Sequence, residues 1–329
     1  MTLDMTMSKD GSMAAPGAVR NLILVHRAGS QDIEDFRRIR DLITDRAPDI
    51  EVFIASTGSP CAVTRRRASR RPTLVFSPTP LFKFEPARGR IYCGQTMSKA
   101  EQIRLLKAAG IPIPETVVLE RYTRLDPTTW GEFTILKPDL GSVGIGVSLE
   151  RTKDVLWIDP FSRPENDSRH GVLMLAQKFV DATDQSGRQY EYRVLTLFAR
   201  PLYSLMGATE LPRQSMAEIV DEFGGKIAFN RKGLKRELRL VAEGDVLDLA
   251  RRAAQALGEV PCLGLDIVRE RSTGQLYVLE ANPGGNIWHL SSIFTPYYPQ
   301  AVREGIYTQF AALETAAEAL IAKTREEAC

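Results

Sequence analysis

The chain has 329 residues, of which 43% are hydrophobic and 26% charged, with a net charge of +2. These values are typical of a globular protein with two domains, or one domain with a separate lobe, and such a charge gives no general attraction for nucleic acid. No apolar run approaches the roughly 20 residues that a membrane span needs, so no membrane association is expected. The four cysteines are far apart without metal-ligand spacing, which favours reduced thiols and a cytoplasmic protein.

The N-terminal part of the chain has the alternation of strands and helices that is typical of a parallel sheet. Residues 1–19 contain no apolar signal core and are predicted to form a disordered tail. Apolar runs at residues 21–26, 51–55 and 73–76 predict buried strands, and the apolar spacing over residues 33–43 predicts a helix between the first two. The short links between these elements favour a βαβ arrangement.

A domain boundary is expected after residue 110. Ser98 followed by Glu101 predicts the start of a helix, Gly110 predicts its end, and the Ile-Pro-Ile-Pro segment at residues 111–114 prevents its continuation. The pattern then changes to strands and hairpins. The further predicted elements are strands at 133–137, 146–149, 172–180, 190–198 and 202–206, a helix at 245–257 and a last helix at 300–324.

Residues 136–147 form a glycine-rich segment that is suited to binding a phosphate group. Gly141, Gly144 and Gly146 let backbone N–H groups approach an anion closely, and Lys137 supplies positive charge. A Walker A loop would end in Gly-Lys-Ser or Gly-Lys-Thr, and a dinucleotide fingerprint would open a helix, whereas this segment has strand patterns on both sides. A glycine loop within a β-hairpin that covers a triphosphate fits best, and a plain glycine-rich turn is the alternative.

A second hairpin is predicted from two apolar strands, residues 264–268 and 277–285, which are joined by a turn. If the turn is centred on Thr273, Asp266 lies opposite Glu280, and directly opposed residues share one face of a sheet. Two carboxylates this close in an apolar setting repel each other unless a cation lies between them.

Asn282 lies two residues beyond Glu280 and therefore joins the two carboxylates on the same face. The set contains only hard oxygen ligands, with no His or Cys, which favours Mg²⁺ or Mn²⁺ over zinc. The alternative is a hairpin whose polar residues face solvent.

Two other segments suit nucleotide binding. At residues 176–180 a strand ends in a connector that can offer backbone groups to an adenine edge. Downstream, Glu191 and Arg193 lie on one face of a strand, where Arg193 can neutralise a phosphoryl group and Glu191 can accept hydrogen bonds from ribose hydroxyls. An ordinary pair of cross-strand charges is the alternative for these two residues.

Taken in order, these segments resemble the ATP-grasp superfamily of carboxylate–amine ligases, near the branch that holds D-alanine–D-alanine ligase and RimK-type glutamate ligases. The resemblance covers residues 20–295 and depends on the order and spacing of its parts. Those parts are Ser98-Lys99, residues 109–114, Lys137-Pro138, the loop at 141–147, residues 191–193, Asp266 and residues 280–285.

The resemblance implies an α/β (α+β) ATP-grasp fold with three parts. Residues 20–110 would form a Rossmann-like, parallel-sheet pre-ATP-grasp domain, residues 111–180 a central lobe with the glycine flap, and residues 181–329 a C-terminal lobe with the metal site. Two Mg²⁺ ions would be bound by Asp266, Glu280 and Asn282. The residues implied to contact ATP are Lys99, Lys137, Gly141, Ser142, Val143, Gly144, Gly146, Gln177, Lys178, Phe179, Val180 and either Glu191 or Asp184.

The chain departs from the family pattern at three places. Gln177 begins the hinge where Glu is often found, and the segment at 181–189 is longer than usual, which makes Asp184 a second candidate for the ribose. Residues 286–289 do not match the acceptor-binding residues of either branch, so Trp288 and His289 are candidate substrate residues whose alternative is simple packing.

The activity implied is ATP-dependent formation of an amide, or peptide-type, bond through an acyl phosphate, with Arg193 stabilising the acyl phosphate and Lys137 the transferred phosphoryl group. A small-molecule kinase and a protein that holds ATP without turnover are the alternatives. The expected substrates are a small-molecule carboxylate and an amine, such as an amino acid or peptide, and a homodimer is the expected assembly. Arg231 is a further substrate candidate or a surface turn, and the basic residues 65–71 form either a solvated loop or a site for an acidic partner.

Overall fold

The computed structural model describes residues 17, 19–57, 70–81, 89–141, 144–167, 169–227, 235–258, 260–283, 288 and 295–329. Apart from Gly17 and Val19, the predicted N-terminal tail lies outside these residues. Among the described helices, none combines the length and the apolar character that crossing a bilayer requires.

The first sheet is parallel and has four strands in the order β2-β1-β3-β4. Its strands are β1 (Arg20–His26), β2 (Ile50–Ser56), β3 (Thr73–Ser77) and β4 (Arg90–Cys93). Helix α1 (Ile33–Arg46) begins where the Asp32 side chain accepts a hydrogen bond from the Glu34 N–H, and it buries Phe36 and Ile39 against the sheet. The predicted βαβ arrangement is therefore confirmed, and β4 is a strand that the sequence pattern did not reveal.

Helix α2 (Lys99–Ala108) connects the first sheet to the second and begins at the predicted cap, Ser98. Its buried Leu106 packs with Leu249 and Leu263, which belong to a helix and a strand of the C-terminal part of the chain. The side-chain oxygen of Gln102 accepts a hydrogen bond from the backbone N–H of Ala281 at 2.9 Å. This helix lies in the predicted N-terminal range 20–110, yet its packing partners belong to the C-terminal part of the chain.

The second sheet is antiparallel, with strand order β5-β8-β6-β7. It consists of β5 (Thr116–Val118), β6 (Phe133–Pro138), β7 (Ser148–Arg151) and β8 (Met174–Lys178), with the one-turn helix α3 (Pro127–Trp130) before β6. The glycine-rich segment joins β6 to β7, so the hairpin interpretation is confirmed, and neither the helix of a Walker A loop nor that of a dinucleotide fingerprint follows it.

The third sheet is antiparallel and has five strands in the order β11-β10-β9-β12-β13. Its strands are β9 (Tyr190–Leu197), β10 (Arg200–Thr209), β11 (Arg236–Leu240), β12 (Cys262–Arg269) and β13 (Leu276–Asn282), with helices α4 (Met216–Asp221) and α5 (Gly244–Ala256) between them. On one face, Val194, Leu265 and Val278 pack against α5. On the other face, apolar residues at one end of the strands, such as Leu195 and Tyr203, join the core of the first sheet.

The predicted last helix at 300–324 is wrong as a single element. The chain forms α6 (Gln300–Thr308) and α7 (Ala312–Glu327), because Ala311 adopts a left-handed conformation with φ 45° that interrupts the helix. Helix α7 packs against α1 and the first sheet, and the Cys329 carbonyl accepts a hydrogen bond from the Thr73 N–H at 2.9 Å. The C-terminal end of the chain therefore completes the N-terminal core. The mixed α/β class is confirmed, and the domain limits at 110 and 180 stay predictions.

Candidate functional site

The predicted hairpin forms, and the pairing predicted for its two carboxylates is confirmed. Asp266 of β12 lies opposite Glu280 of β13, and Gly264 lies opposite Asn282. Between Asp266 and Ile267 the pairing shifts by one residue, so Leu279 is an extra residue in β13. This β-bulge interrupts the ladder beside the two carboxylates.

Asp266 is paired with Arg193, its neighbour on strand β9. The guanidinium Nε and Nη2 of Arg193 donate to the two carboxylate oxygens at 2.7 and 2.8 Å, and the Asn282 amide donates to the same carboxylate at 3.1 Å. The charge of Asp266 raises the pKa of Arg193 above its ordinary value, although burial opposes the shift. The row Glu280, Asp266, Arg193 therefore crosses three adjacent strands on one face.

Lys137 reaches this row from β6 of the second sheet. Its side-chain nitrogen donates to the Leu279 carbonyl in the bulge at 3.1 Å and to the Gln177 side-chain oxygen at 3.2 Å, and the residue is only 5% exposed. Burial lowers the pKa of Lys137 to about 8, while the charge of Glu280 opposes that shift. The ammonium group is therefore mostly protonated at neutral pH.

Lys99, the first residue of α2, reaches the row from a third element. Its side-chain nitrogen lies 3.5 Å from Glu280 Oε1 and donates to the Gly141 carbonyl at 3.1 Å. The start of α2 is itself attached to the end of β6, because Asp139 accepts hydrogen bonds from the backbone N–H groups of Lys99 and Ala100. Lys99 therefore links the carboxylate hairpin to the glycine hairpin.

The glycine hairpin contains three residues with positive φ, at 147° for Gly141, 70° for Gly144 and 77° for Gly146. Residues with a side chain rarely adopt these angles, which explains the glycines. Ser142 and Val143, the two other predicted loop residues, lie outside the described residues.

Glu191 and Arg236 extend the charged face towards β11. The Arg236 Nη1 lies 3.8 Å from Glu191 Oε1, and burial together with the charge of Asp266 raises the pKa of Glu191 to about 7. Arg236 was not identified from the sequence, although the alternation of Arg236, Leu238 and Leu240 along β11 places all three on this face. Binding of ribose by Glu191 stays a prediction.

The predicted hinge follows β8. The Gln177 side chain points inward, where its amide donates to Thr116 at 3.0 Å, while Lys178 is exposed and donates to the Thr129 carbonyl at 2.9 Å. Phe179 and Val180 follow the end of the strand and are half-buried. The side chain of Gln177 thus forms hydrogen bonds with Thr116 and Lys137. Contact between the hinge and adenine stays a prediction.

Asp184, the second candidate for binding ribose, lies in a tight turn, and its carboxylate forms hydrogen bonds with other residues of that turn. Its carboxylate accepts hydrogen bonds from Ser186 and from the backbone and side chain of Arg188. Burial would raise the pKa of Asp184, but these hydrogen bonds outweigh it and lower the pKa to about 2. These contacts explain the position of Asp184 by the structure of the turn, and binding of ribose by Asp184 stays a prediction.

Trp288 is fully buried, and its ring lies 5.9 Å from that of Phe36 and 6.1 Å from that of Phe76, between centroids. This position in the core of the first sheet corresponds to the packing alternative and gives no support to contact with a substrate. His289 and Arg231 lie outside the described residues, as do residues 65–69 of the basic cluster.

The predicted magnesium ligands are two carboxylates and an amide. Among the described residues, no group of three or more His, Cys, Asp or Glu side chains is suited to hold a metal ion. Two carboxylates, Asp266 and Glu280, lie together with the Asn282 amide. Mg²⁺ is commonly held by one or two carboxylates together with substrate phosphates, so a set of this size is compatible with Mg²⁺, and the assignment of these residues as its ligands stays a prediction.

No protein-family model matches the sequence, and no curated protein matches it significantly. Solved structures do resemble it. The ATP-grasp ligase PsnB, complexed with a minimal precursor, is 16% identical with a TM-score of 0.52, over 92% of this chain and 99% of PsnB. D-cycloserine synthetase DcsG is 16% identical with a TM-score of 0.48, over 91% of this chain and 99% of DcsG. The D-alanine–D-alanine ligase of Bacillus anthracis is 13% identical with a TM-score of 0.49, over 94% of this chain and 99% of that ligase.

The likeness to PsnB shows that the chain has the ATP-grasp fold, which confirms the fold that the sequence resemblance implied. At 16% identity this likeness concerns the fold alone, so the chemistry has to be argued from the residues of the site.

Proposed function

We propose that the protein is an ATP-dependent carboxylate–amine ligase, which forms an amide bond through an acyl phosphate and releases ADP and phosphate. The observation that carries this proposal is the meeting of three elements at one place. Lys137 from the second sheet and Lys99 from α2 both reach the Asp266–Glu280 hairpin, and Lys99 also contacts the glycine hairpin.

The two lysines suit the phosphates of ATP. Both side chains are almost fully buried, in a setting of low dielectric constant where an interaction with a phosphate is strong, and burial lowers the pKa of Lys137 to about 8. The glycine hairpin beside Lys99 can present backbone N–H groups to the same phosphates. Bound Mg²⁺, held by Asp266, Glu280 and Asn282, would neutralise the charge on the phosphoryl oxygens.

In the first step, an oxygen of the substrate carboxylate bonds to the γ-phosphorus of ATP while the bond to the β-phosphate oxygen breaks, giving an acyl phosphate and ADP. Lys137 and Lys99 offset the charge on the transferred group, as in other phosphoryl transfers. Asp266 fixes the guanidinium of Arg193 through Nε and Nη2, and the remaining N–H groups on Nη1 and Nη2 would donate to the oxygen of the reacting carbonyl.

In the second step, the nitrogen of an amine bonds to the carbonyl carbon, and phosphate leaves with the electron pair of the acyl–oxygen bond while the amine loses a proton. Arg193 stabilises the negative carbonyl oxygen of the tetrahedral intermediate. Water must be excluded while the acyl phosphate exists, and we propose that the glycine hairpin, which contacts Lys99, covers it.

The substrates that we propose are an amino acid or peptide carboxylate and an amine. PsnB, whose fold this chain shares, was solved with a minimal precursor, which supports a peptide-type substrate. Cytoplasmic location and a homodimer are not required by this chemistry and stay predictions.

The proposal is tested by incubating the protein with ATP, Mg²⁺ and pooled amino acids, and then measuring released phosphate and the masses of the products. A ligase gives free phosphate together with a condensation product. A product heavier by one phosphoryl group would identify a kinase instead, and nucleotide binding without turnover would identify an ATP-binding protein. Either of these results would overturn the proposal.

A further inference from the structure

An arginine from a distant part of the chain holds the predicted adenine hinge. Arg213 lies in the loop between β10 and α4, and its guanidinium carbon is 5.3 Å from the centre of the Phe179 ring. Its Nη1 also lies 3.0 Å from Asp181 Oδ1, and its side chain is only 16% exposed. The guanidinium therefore contacts the residue on each side of Val180.

Asp181 is held from other directions as well. Its carbonyl accepts a hydrogen bond from the Arg271 N–H at 2.8 Å, and its carboxylate accepts one from the Thr183 hydroxyl at 3.0 Å. The backbone N–H of Arg213 donates to the Gly187 carbonyl at 2.8 Å, so the backbone of the arginine is itself held in place. The segment after β8 is consequently attached to two other loops.

Burying the guanidinium of Arg213 has an energetic cost, and packing against Phe179 does not require a charged side chain. Burial lowers the pKa of Arg213, and the charge of Asp181 opposes that effect. A guanidinium is nevertheless placed over an aromatic face here, an interaction that depends on its planar geometry. An apolar side chain would cover Phe179 without that cost.

We infer that Arg213 is a positioning residue for the nucleotide. It fixes Phe179 and Asp181, and thereby holds the backbone of residues 179 and 180 ready to bind the edge of the adenine ring. The inference rests on the proposed function, since it assumes that this segment binds ATP. A connector that is already ordered loses less conformational entropy when the ligand binds, so the effect falls on affinity and not on the chemical step.

The chain offers a matched control for this arginine. Arg151 is paired with Asp221 at 2.8 Å, its guanidinium carbon is 5.5 Å from the centre of the Phe133 ring, and its side chain is 25% exposed. It has the same kinds of contact, but it lies at the end of β7 and does not touch the hinge.

The test compares Arg213→Ala, Arg213→Lys and Arg151→Ala with the wild-type protein. The dissociation constant of ATP with Mg²⁺ is measured by calorimetry, KM for ATP and kcat by phosphate release, and folding by thermal unfolding. We expect Arg213→Ala to weaken ATP binding and raise KM by about tenfold with kcat unchanged. Arg213→Lys should recover part of the affinity, because it keeps the charge that faces Asp181, and Arg151→Ala should bind ATP as the wild type does.

Three results would overturn the inference. A folded Arg213→Ala variant with wild-type affinity for ATP would show that the arginine does not position the hinge, while leaving the proposed function intact. An equal loss in Arg151→Ala would show a general effect of removing such a pair. A wild-type protein that binds no ATP would overturn both the inference and the proposed function. If Arg213→Ala does not fold, Asp181→Asn replaces it, with a smaller loss of affinity expected and wild-type affinity contradicting the inference.

Discussion

The two faces of the five-stranded sheet carry the same pair of chemical groups in different surroundings. On one face Arg193 binds Asp266 through two hydrogen bonds, and Lys99 and Lys137 approach the neighbouring hairpin from other elements. On the other face Arg269 of β12, the strand that also carries Asp266, binds carboxylates at the start of α5 at 2.8 Å. An arginine–carboxylate pair is therefore not in itself a sign of a functional site.

The difference lies in what faces each pair. The carboxylates bound by Arg269 belong to the helix that packs on that face, so the pair joins one secondary-structure element to another. Beside the pair on the first face, buried Lys137 of the second sheet binds the bulge of the same hairpin. Buried Lys99 lies next to Glu280 and also binds the Gly141 carbonyl of the glycine hairpin. We conclude that charges contributed by several elements to one place distinguish the site from structural charge pairs. The predictions below test this difference between the two faces.

The largest effect is expected for Glu280→Ala. Loss of this carboxylate removes a proposed magnesium ligand and the partner of Lys99, so kcat should fall by more than about 1,000-fold with the fold intact. Asp245→Ala, which removes a carboxylate bound by Arg269 on the other face, is the control and should keep normal turnover. Activity is measured by phosphate release and folding by circular dichroism. Near-normal turnover in Glu280→Ala would refute the metal assignment.

The next effect is expected for Arg193→Ala. Because the guanidinium of Arg193 is proposed to stabilise the acyl phosphate and the tetrahedral intermediate, kcat should fall by about 100-fold or more, with a smaller change in KM for ATP. Arg193→Lys should recover little, since one ammonium cannot bind both oxygens of Asp266 through parallel N–H donors and also reach the reacting carbonyl. The kinetic constants of both variants provide the measurement. A loss confined to KM would show that Arg193 binds a substrate without stabilising the transition state.

Lys137→Ala should weaken nucleotide binding. A hydrogen bond to a charged group contributes about 1.5–3 kcal/mol, so the dissociation constant of ATP should rise by roughly 10- to 100-fold. Lys137→Met keeps most of the side-chain volume and separates the loss of charge from the loss of packing. Titration of ATP against both variants checks this expectation, and unchanged affinity in both would contradict the role assigned to the lysine.

The smallest effect is expected on the opposite face. Arg269→Gln should lower the free energy of unfolding by about 1 kcal/mol, because it breaks a partly exposed charge pair. ATP affinity and kcat should remain those of the wild type. Chemical denaturation together with the kinetic assay tests both parts. A loss of turnover larger than the loss of stability would remove the distinction between the two faces.

The parts of the site that the sequence predicted are those set by local geometry. A turn centred on Thr273 predicted Asp266 opposite Glu280, and that pairing is confirmed, but it also depends on the bulge at Leu279, which the sequence did not predict. The pairs next to the turn, such as Ile267 with Val278, would by themselves place Leu279 opposite Asp266. Similarly, three glycines between two strand patterns were enough to predict the β6–β7 hairpin. The βαβ start of the chain was predicted from its apolar runs in the same way.

What the sequence did not predict depends on contacts between distant segments. Nothing local shows that α2 packs against the third sheet, that α7 completes the core of the first, or that Trp288 is buried between Phe36 and Phe76. The break at Ala311 was missed because alanine favours helix, and its left-handed conformation has no signal in the sequence. Arg236 is an intermediate case, since its strand has a readable alternation but its neighbour Glu191 lies on another strand.

The central claim is that the site activates a carboxylate with ATP. The most direct test supplies the amino-acid pool with ¹⁸O in its carboxyl groups and analyses the released phosphate by mass spectrometry. The account predicts phosphate that carries one ¹⁸O atom, because the carboxylate oxygen that bonds to the γ-phosphorus leaves with the phosphate. Consumption of ATP with only unlabelled phosphate would contradict it.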